Sequence, residues 1–376
     1  MKVVFLCCQA QSLLSFRKEL MCALMDKGCE VLAFAPEPEA QWRERFIEIG
    51  VSYGSLKLQK NGTNPFSDLA GMADILKKLK AVKPDAVFCY HAKTVIYGSI
   101  AAKLAKVKRR IALIAGVGSV LRDKPTNLKS RLVRGILALE YRAGLSAATA
   151  VFFQNHDDSE LFLSKRLVKE NKIAYINGSG VNLERFTQSP VPEAKRFLFV
   201  GRLIRDKGLV EYLTAARELK SRMPDAEFGV IGYFDTNPTS LSMADIQPFI
   251  DDGSIAFYGF QEDVRPCLDA CCCFVLPSYH EGTPKSALEA LAVGRPVVTS
   301  DTAGCRETVV NGENGILVPV GDSAALVKAL ERIAGDYDMC RSMGERSHRL
   351  AVEKFDVRAV NGIIVSAVLG DSYGTL

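Results

Sequence analysis

Short, unbroken apolar runs alternate with segments of helical period along nearly the whole chain, and this alternation restricts the fold more than any other feature. The runs "KVVFLCC" (2–8), "EVLAFAP" (30–36), "PDAVFCYHA" (84–92), "RIALIAGVG" (110–118) and "TAVFFQN" (149–155) lack the apolar–polar alternation of a half-exposed strand. Strands of this kind need cover on both faces. Between them lie helical patterns, one over 15–27 closing at Gly28 and one over "IYGSIAAKLAKV". Strand, helix, strand in this order predicts a parallel sheet. The stretch "TQSPVPEAK" (187–195) has two prolines and little apolar content, which suits a linker. The pattern then restarts, with strands in "RFLFVG", "AEFGVIG", "SIAFYGF", "CFVLPS", "RPVVTS" and "GILVP" and helices in "LVEYLTAARELKSR", "VRPCLDACC" and "PKSALEALAVG".

The expectation is an α/β protein of two doubly wound, Rossmann-like domains facing a cleft. The first spans 1–186 and the second 195–355, with a C-terminal helix over about 356–376 packing back on the first. Open parallel sheets bind ligands off the carboxyl ends of their strands, so both domains should present loops there. A length of 376 residues suits two domains. The first strand-to-helix turn, "CCQAQSLLSFRK", has no Gly-x-Gly-x-x-Gly, and Walker-A spacing is missing, which lowers the case for a nicotinamide, flavin or P-loop enzyme.

Eleven cysteines without a convincing export signal predict a reducing cytoplasm and free thiols. Cys271, Cys272 and Cys273 lead into an apolar run and read as small core hydrophobes rather than metal ligands. No stretch of 18 apolar residues occurs, so no transmembrane helix is expected. The net charge of +5 is unevenly placed: residues 1–186 carry 29 Lys+Arg against 17 Asp+Glu, net +12, and the remainder is net −7. The span 103–142 alone has eleven basic and two acidic residues, interleaved with "IALIAGVGSVL" and "LVRGILAL". That mixture suits an anionic membrane surface. It lacks the interleaved aromatics of a nucleic-acid site.

The chemistry concentrates in "HEGTPKSALEA". Thr283 is placed as an N-cap and Pro284 as the first helical residue, so the helix start would offer N–H groups to an anion at the end of "CFVLPS". Lys285 adds a cation. Glu281 and Glu289 stand eight positions apart, about 80° around a helix and up to ~12 Å along it. They can bracket an extended ligand; a solvated helix face with a capping carboxylate accounts for the same spacing. In "FVGRLIRDKGLVEYL", Arg202 and Lys207 supply a planar fork and a point charge, both suited to a diphosphate.

"GRLIRDKG" followed about 80 residues later by Glu281-x7-Glu289 resembles the donor-site motifs of retaining family 4 glycosyltransferases, which have the GT-B fold. "VFFQNHDDSELF", "INGSGVNLERF", "YGFQEDVRPCLDAC", "GRPVVTSDTAGCRETV" and "NGILVPV" extend the resemblance over nearly the whole chain. Within the family, "NPFSDLAGMADILKKLKAVKPD", "IYGSIAAKLAKV" and "IALIAGVGS" are similar to the branch that builds lipid-linked bacterial glycans, including PglA-type enzymes. The resemblance implies that Arg202 and Lys207 neutralise the donor diphosphate, that Glu281 holds the donor sugar and Glu289 the ribose, and that Gly282, Thr283 and Pro284 form the turn under the phosphates. Gln11 and Ser12 would face the phosphates from the first domain, where this chain lacks the family's paired glycines. Gly116 stands near where many members carry a histidine. His91 and Asn155, at the ends of their strands, would face the cleft.

The activity this resemblance implies is an α-retaining transfer of a sugar, N-acetylgalactosamine before galactose, from a UDP-sugar to an undecaprenyl-diphosphate-linked sugar, in assembly of a protein glycan, O-antigen or capsule. No metal or other cofactor is expected. The protein would sit at the cytoplasmic face of the membrane. Two readings of another class stand beside it, a nucleotide-sugar epimerase, for which no acid/base set is found, and a non-catalytic nucleotide-sugar-binding protein.

Overall fold

The computed structural model describes residues 1–58, 64–123, 125, 127–235 and 239–371. Lys124 of the basic span and positions 372–376 of the expected C-terminal helix lie outside them. The chain forms two compact units, one of residues 1–179 with 358 onward, the other of residues 180–357.

The first unit holds a parallel sheet of β1 (Lys2–Leu6), β2 (Glu30–Ala35), β3 (Ser52–Ser55), β4 (Ala86–Tyr90), β5 (Arg109–Ile114), β6 (Ala150–Phe153) and β7 (Ile173–Tyr175), in the order β3-β2-β1-β4-β5-β6-β7. Successive side chains go to opposite faces. Val3 and Phe5 join one core and Val4 and Leu6 another, which is why the run reads as uniformly apolar. The helix Val357–Leu369 covers one of these faces through Val360, Ile364 and Val368.

The second sheet contains β8 (Arg196–Val200), β9 (Glu227–Ile231), β10 (Ala256–Gly259), β11 (Cys273–Leu276), β12 (Val297–Ser300) and β13 (Gly315–Val318), ordered β10-β9-β8-β11-β12-β13. Each sheet reverses its winding once, between β1 and β4 and between β8 and β11. The carboxyl ends of those strand pairs are where a doubly wound sheet opens a crevice.

The expected linker at 187–195 is corrected. The second unit begins at Gly180, Val181 exchanges backbone hydrogen bonds with Phe355 and Val357, and Phe186 and Val191 are buried in the second core. Pro190 and Pro192 therefore mark a covering strap of that unit. The helix beginning at 284 is shifted by one residue. Pro284 takes the N-cap with extended backbone (φ −72°, ψ 116°), the helix runs Lys285–Val293, and the Thr283 hydroxyl donates to Gly282 O at 2.9 Å instead of capping. The N-cap position makes no side-chain hydrogen bond.

All eleven cysteines are free thiols, and burial pushes Cys89, Cys271 and Cys305 up to about 12. Burial likewise raises Cys7, Tyr53, Tyr97 and Tyr141. Each is an acid that the fold keeps protonated. Above pH ~9 for the thiols and ~10 for the phenols, the unfolded chain binds fewer protons, so stability falls by up to about 1.4 kcal/mol per pH unit for each fully buried group, until the folded pKa is reached. The thermal midpoint should hold steady from pH 6.5 to 8 and drop steeply between pH 9 and 11. A midpoint unchanged at pH 10.5 by calorimetry would contradict this assignment.

Candidate functional site

The second unit brings three loops together at the carboxyl edge of its sheet. The chain leaves β8 through Gly201 and Arg202 and makes a single 3₁₀ turn, Arg205–Lys207. Gly208 follows with φ 71°, and a Cβ there would lie 1.9 Å from Pro277 O. The loops after β8 and β11 thus touch backbone to backbone, which only a glycine allows. Tyr279 N–H donates to Asp206 O at 2.9 Å and fixes the register between them.

This contact places Lys207 against Glu281. The Lys207 Nζ forms an ion pair with Glu281 Oε1, and the Ser278 hydroxyl lies 3.0 Å from the same oxygen and 3.0 Å from Asp206 O. The two charged side chains are 17% and 11% exposed, so the pair is largely withdrawn from water yet reachable. The third loop follows β12. Glu281 N–H donates to Ala303 O at 3.1 Å, and Gly304, with φ 72°, approaches so closely that a Cβ would sit 2.1 Å from Gly282 O. Cys305 next to it is buried and, pushed up to about 12, stays a neutral thiol beside the Glu281 carboxylate.

Arg202 does not join this pair. Its Nη1 donates to Asp235 Oδ2 at 2.7 Å, in the loop after β9. Gly282, Thr283 and Pro284 are buried under the turn, while Lys285 and Glu289 are half-buried on the first turns of the following helix. The unit therefore presents two cations, Arg202 and Lys207, each held by a carboxylate, beside a glycine-tightened turn into a helix. Such an arrangement suits an anionic group with hydroxyls attached.

In the first unit, the β1–β4 crevice holds a separate cluster. His91 ends β4 in the left-handed region (φ 79°), unusual for a residue with a side chain. Its Nδ1 lies 3.3 Å from Cys7 Sγ and its Nε2 3.3 Å from Ser12 Oγ. Its ring packs on Tyr90, with centroids 4.2 Å apart. Gln11 is exposed as the second residue of the first helix and donates to Ser15 Oγ at 3.0 Å. Gly116 has φ 130° in the loop after β5. Asn155 is buried at 2% exposure and caps the helix His156–Ser164: its Oδ1 accepts from Asp158 N at 2.8 Å and its Nδ2 donates to Asp158 Oδ2 at 3.1 Å. That gives Asn155 a helix-capping role.

Ser278, Asp235, Gly304 and Cys7 were not anticipated. Gly304 was the most accessible of them, since a glycine inside "SDTAGCRE" just after a strand marks a forced backbone approach.

Sequence comparison matches residues 194–336 to "Glycosyl transferases group 1" and residues 16–178 to "Glycosyl transferase 4-like domain". Among curated proteins, the chain is 29% identical over 367 residues to the Campylobacter jejuni N,N'-diacetylbacillosaminyl-diphospho-undecaprenol alpha-1,3-N-acetylgalactosaminyltransferase, covering 94% of both chains. It is 28% identical to the Escherichia coli UDP-Gal:alpha-D-GlcNAc-diphosphoundecaprenol alpha-1,3-galactosyltransferase, over 72% of this chain and 71% of that one. Among solved structures, HepE of Anabaena in complex with UDP and glucose superposes with a TM-score of 0.76 at 17% identity, over 98% of this chain and 100% of that one.

Proposed function

This chain belongs to the group 1 glycosyl transferases, and on that premise we propose that it transfers N-acetylgalactosamine, with retention of the α configuration, from UDP-N-acetylgalactosamine to an undecaprenyl-diphosphate-linked sugar during bacterial glycan assembly. It is a glycosyltransferase of the GT-B fold. The observation that supports the finer reading is the Lys207–Ser278–Glu281 cluster at the β8–β11 crevice, in a chain that matches a lipid-linked acceptor enzyme almost end to end.

In this reading Lys207 and Arg202 take the donor diphosphate, and the first turn of the helix Lys285–Val293 adds its positive end. Glu281 holds sugar hydroxyls, and Glu289 the ribose. Gln11, Ser12 and His91 are polar groups of the first unit's own crevice, suited to a phosphate or a sugar hydroxyl. No side chain is assigned as a covalent nucleophile. The acceptor hydroxyl attacks the anomeric carbon on the face the diphosphate leaves, the C–O bond to phosphate breaks, and the leaving phosphate oxygen takes the acceptor proton. Negative charge growing on the diphosphate meets cations already in place, which is the main source of rate in such a site. The acceptor's lipid places the reaction at the inner face of the cell membrane. No helix among the described residues is long and apolar enough to cross it. We propose no metal in this chemistry.

The likeness to the E. coli galactosyltransferase supports UDP-galactose as the second donor. The test is UDP release from a panel of UDP-sugars with an undecaprenyl-diphospho-sugar acceptor, wild type beside Glu281→Ala. Acceptor-dependent release with UDP-N-acetylgalactosamine, reduced at least about 100-fold in the variant, is the expected result. Release with UDP-galactose alone would replace the donor. Tight UDP binding without release from any donor would replace the transferase with a binding protein.

A further inference from the structure

The helix Leu128–Ala147 is longer than the sheet it covers. Its twenty residues span ~30 Å, whereas the six-residue β5 and four-residue β6 that flank it in sequence span at most ~20 Å. The helix runs back from the carboxyl edge, and its buried residues, Tyr141, Gly144, Leu145 and Ala147, all fall in the last two turns. None of residues 128–136 is buried, and Leu137 and Ala138 pack only partly buried against the core.

The face turned away from the core is apolar. Leu128, Leu132, Ile136 and Leu139 are 84%, 66%, 49% and 63% exposed, and at 100° per residue they share an arc of about 80°. Phe66 and Leu69, also exposed, open the helix Pro65–Val82. That helix contributes Ile75 and Leu79 to the same core cluster as Tyr141 and Leu145, so it covers the same face and starts at the same edge.

The basic span 103–142 is not one patch. At the amino edge, Arg109 donates to Val368 O and Arg110 to Ala147 O and Val107 O, so these cations close the ends of neighbouring elements. Beside the apolar stripe, Lys129 and Arg131 are exposed and, among the described residues, form no ion pair. The helix has one carboxylate, Glu140, which accepts from the Tyr97 hydroxyl at 2.7 Å.

We propose that the outer face of this helix over Leu128–Leu139 lies in the plane of an anionic bilayer, with Leu128, Leu132, Ile136 and Leu139 immersed and Lys129 and Arg131 at the level of the lipid phosphates. The choice of occupant rests on the lipid-linked acceptor reading above and on charge: a second copy of this stripe would set unpaired cations against each other, whereas anionic headgroups neutralise them. An exposed apolar arc rimmed by basic residues is the pattern of an in-plane interfacial helix.

The test is co-sedimentation of the full chain, without donor or acceptor, with vesicles of phosphatidylglycerol and phosphatidylethanolamine, beside pure phosphatidylcholine. Wild type should partition to the anionic vesicles, and less so in high salt. Leu132→Asp with Ile136→Asp, and separately Lys129→Glu with Arg131→Glu, should each lower partitioning by more than about tenfold, since removing one basic residue alone lowers it about fivefold. Leu104→Asp, an exposed apolar residue at the amino edge, should bind as wild type. Unchanged thermal midpoints and unchanged UDP release with a water-soluble acceptor would confirm that only docking was altered. Failure of wild type to bind, or full binding by both double variants, overturns the proposal. So does a wild-type dimer that the Leu132/Ile136 variant dissolves without loss of vesicle binding. A chain that binds vesicles but transfers no sugar would sink the functional reading and leave this one standing.

Discussion

Replacing Lys207 by alanine should lower kcat by about 10²–10³ and weaken UDP binding, the largest effect expected of any single charge in the second unit. Lys207 is the cation nearest the Glu281 carboxylate and is only 17% exposed, so its charge acts where water screens little. In the free protein Glu281 neutralises it. A bound diphosphate takes that role while Glu281 turns to hydroxyls, so the pair serves as a preformed socket. Lys207→Met keeps the aliphatic stem and should lose as much rate as Lys207→Ala, which separates charge from packing. Stability should respond differently. Lys207→Ala takes the cation from a largely buried Glu281 and should cost about 1–3 kcal/mol, whereas Lys207→Ala with Glu281→Ala removes both charges and should recover part of that loss with no recovery of rate. Transfer near the wild-type rate in Lys207→Met, measured as acceptor-dependent UDP release, would remove Lys207 from the chemistry.

Much of the frame was legible because parallel strands covered on both faces must be apolar throughout, and β1, β4, β5, β6, β8, β11 and β12 all announce themselves that way. The strands that escaped lie at the margin. β3 reads "SYGS" and β7 is three residues long, and an edge strand needs neither length nor continuous apolarity. The helix Leu128–Ala147 escaped for another reason: half of its apolar stripe faces away from the core, so its pattern blurs into a basic, greasy segment.

At the site, sequence motifs single out candidate residues, whereas the contacts among them arise from the convergence of the loops. Lys207 and Glu281 stand in recognisable patterns, yet nothing in the linear chain says that they touch. Their meeting depends on Gly208 pressing against Pro277, a contact between positions 69 apart in sequence. Ser278 and Asp235 are single polar residues in loops, without spacing to mark them. Asn155 shows how a polar residue after a strand can be read two ways. An asparagine after a strand reads equally as a ligand or an N-cap, and its bonds to Asp158 decide for the cap. Arg295 is similar: wholly buried, it donates to Leu268 O, Ser189 O and Asp269 O and ties the 180s strap to the sheet, a use of arginine that composition cannot foresee.

Gly304→Ala should damage the protein severely although it leaves every charge untouched. Two costs combine. The left-handed φ of 72° penalises any Cβ by about 1–2 kcal/mol. The methyl would also fall 2.1 Å from Gly282 O and 2.3 Å from Glu281 O, and both are backbone atoms that cannot rotate aside. Relieving that overlap means moving the turn that carries Glu281 away from Ala303, adding about 1–3 kcal/mol as overpacking does elsewhere. Gly312 is the internal control. It has nearly the same φ, 81°, but nothing within 4 Å of its would-be Cβ, so Gly312→Ala isolates the conformational cost. Calorimetry should place the Gly304→Ala midpoint well below that of Gly312→Ala. UDP release should fall at least about tenfold in the first and stay near wild type in the second, because a displacement of about 1 Å in a positioning loop suffices for such losses. Equal midpoints for the two variants would mean that the loop after β12 yields freely and does not fix the position of Glu281.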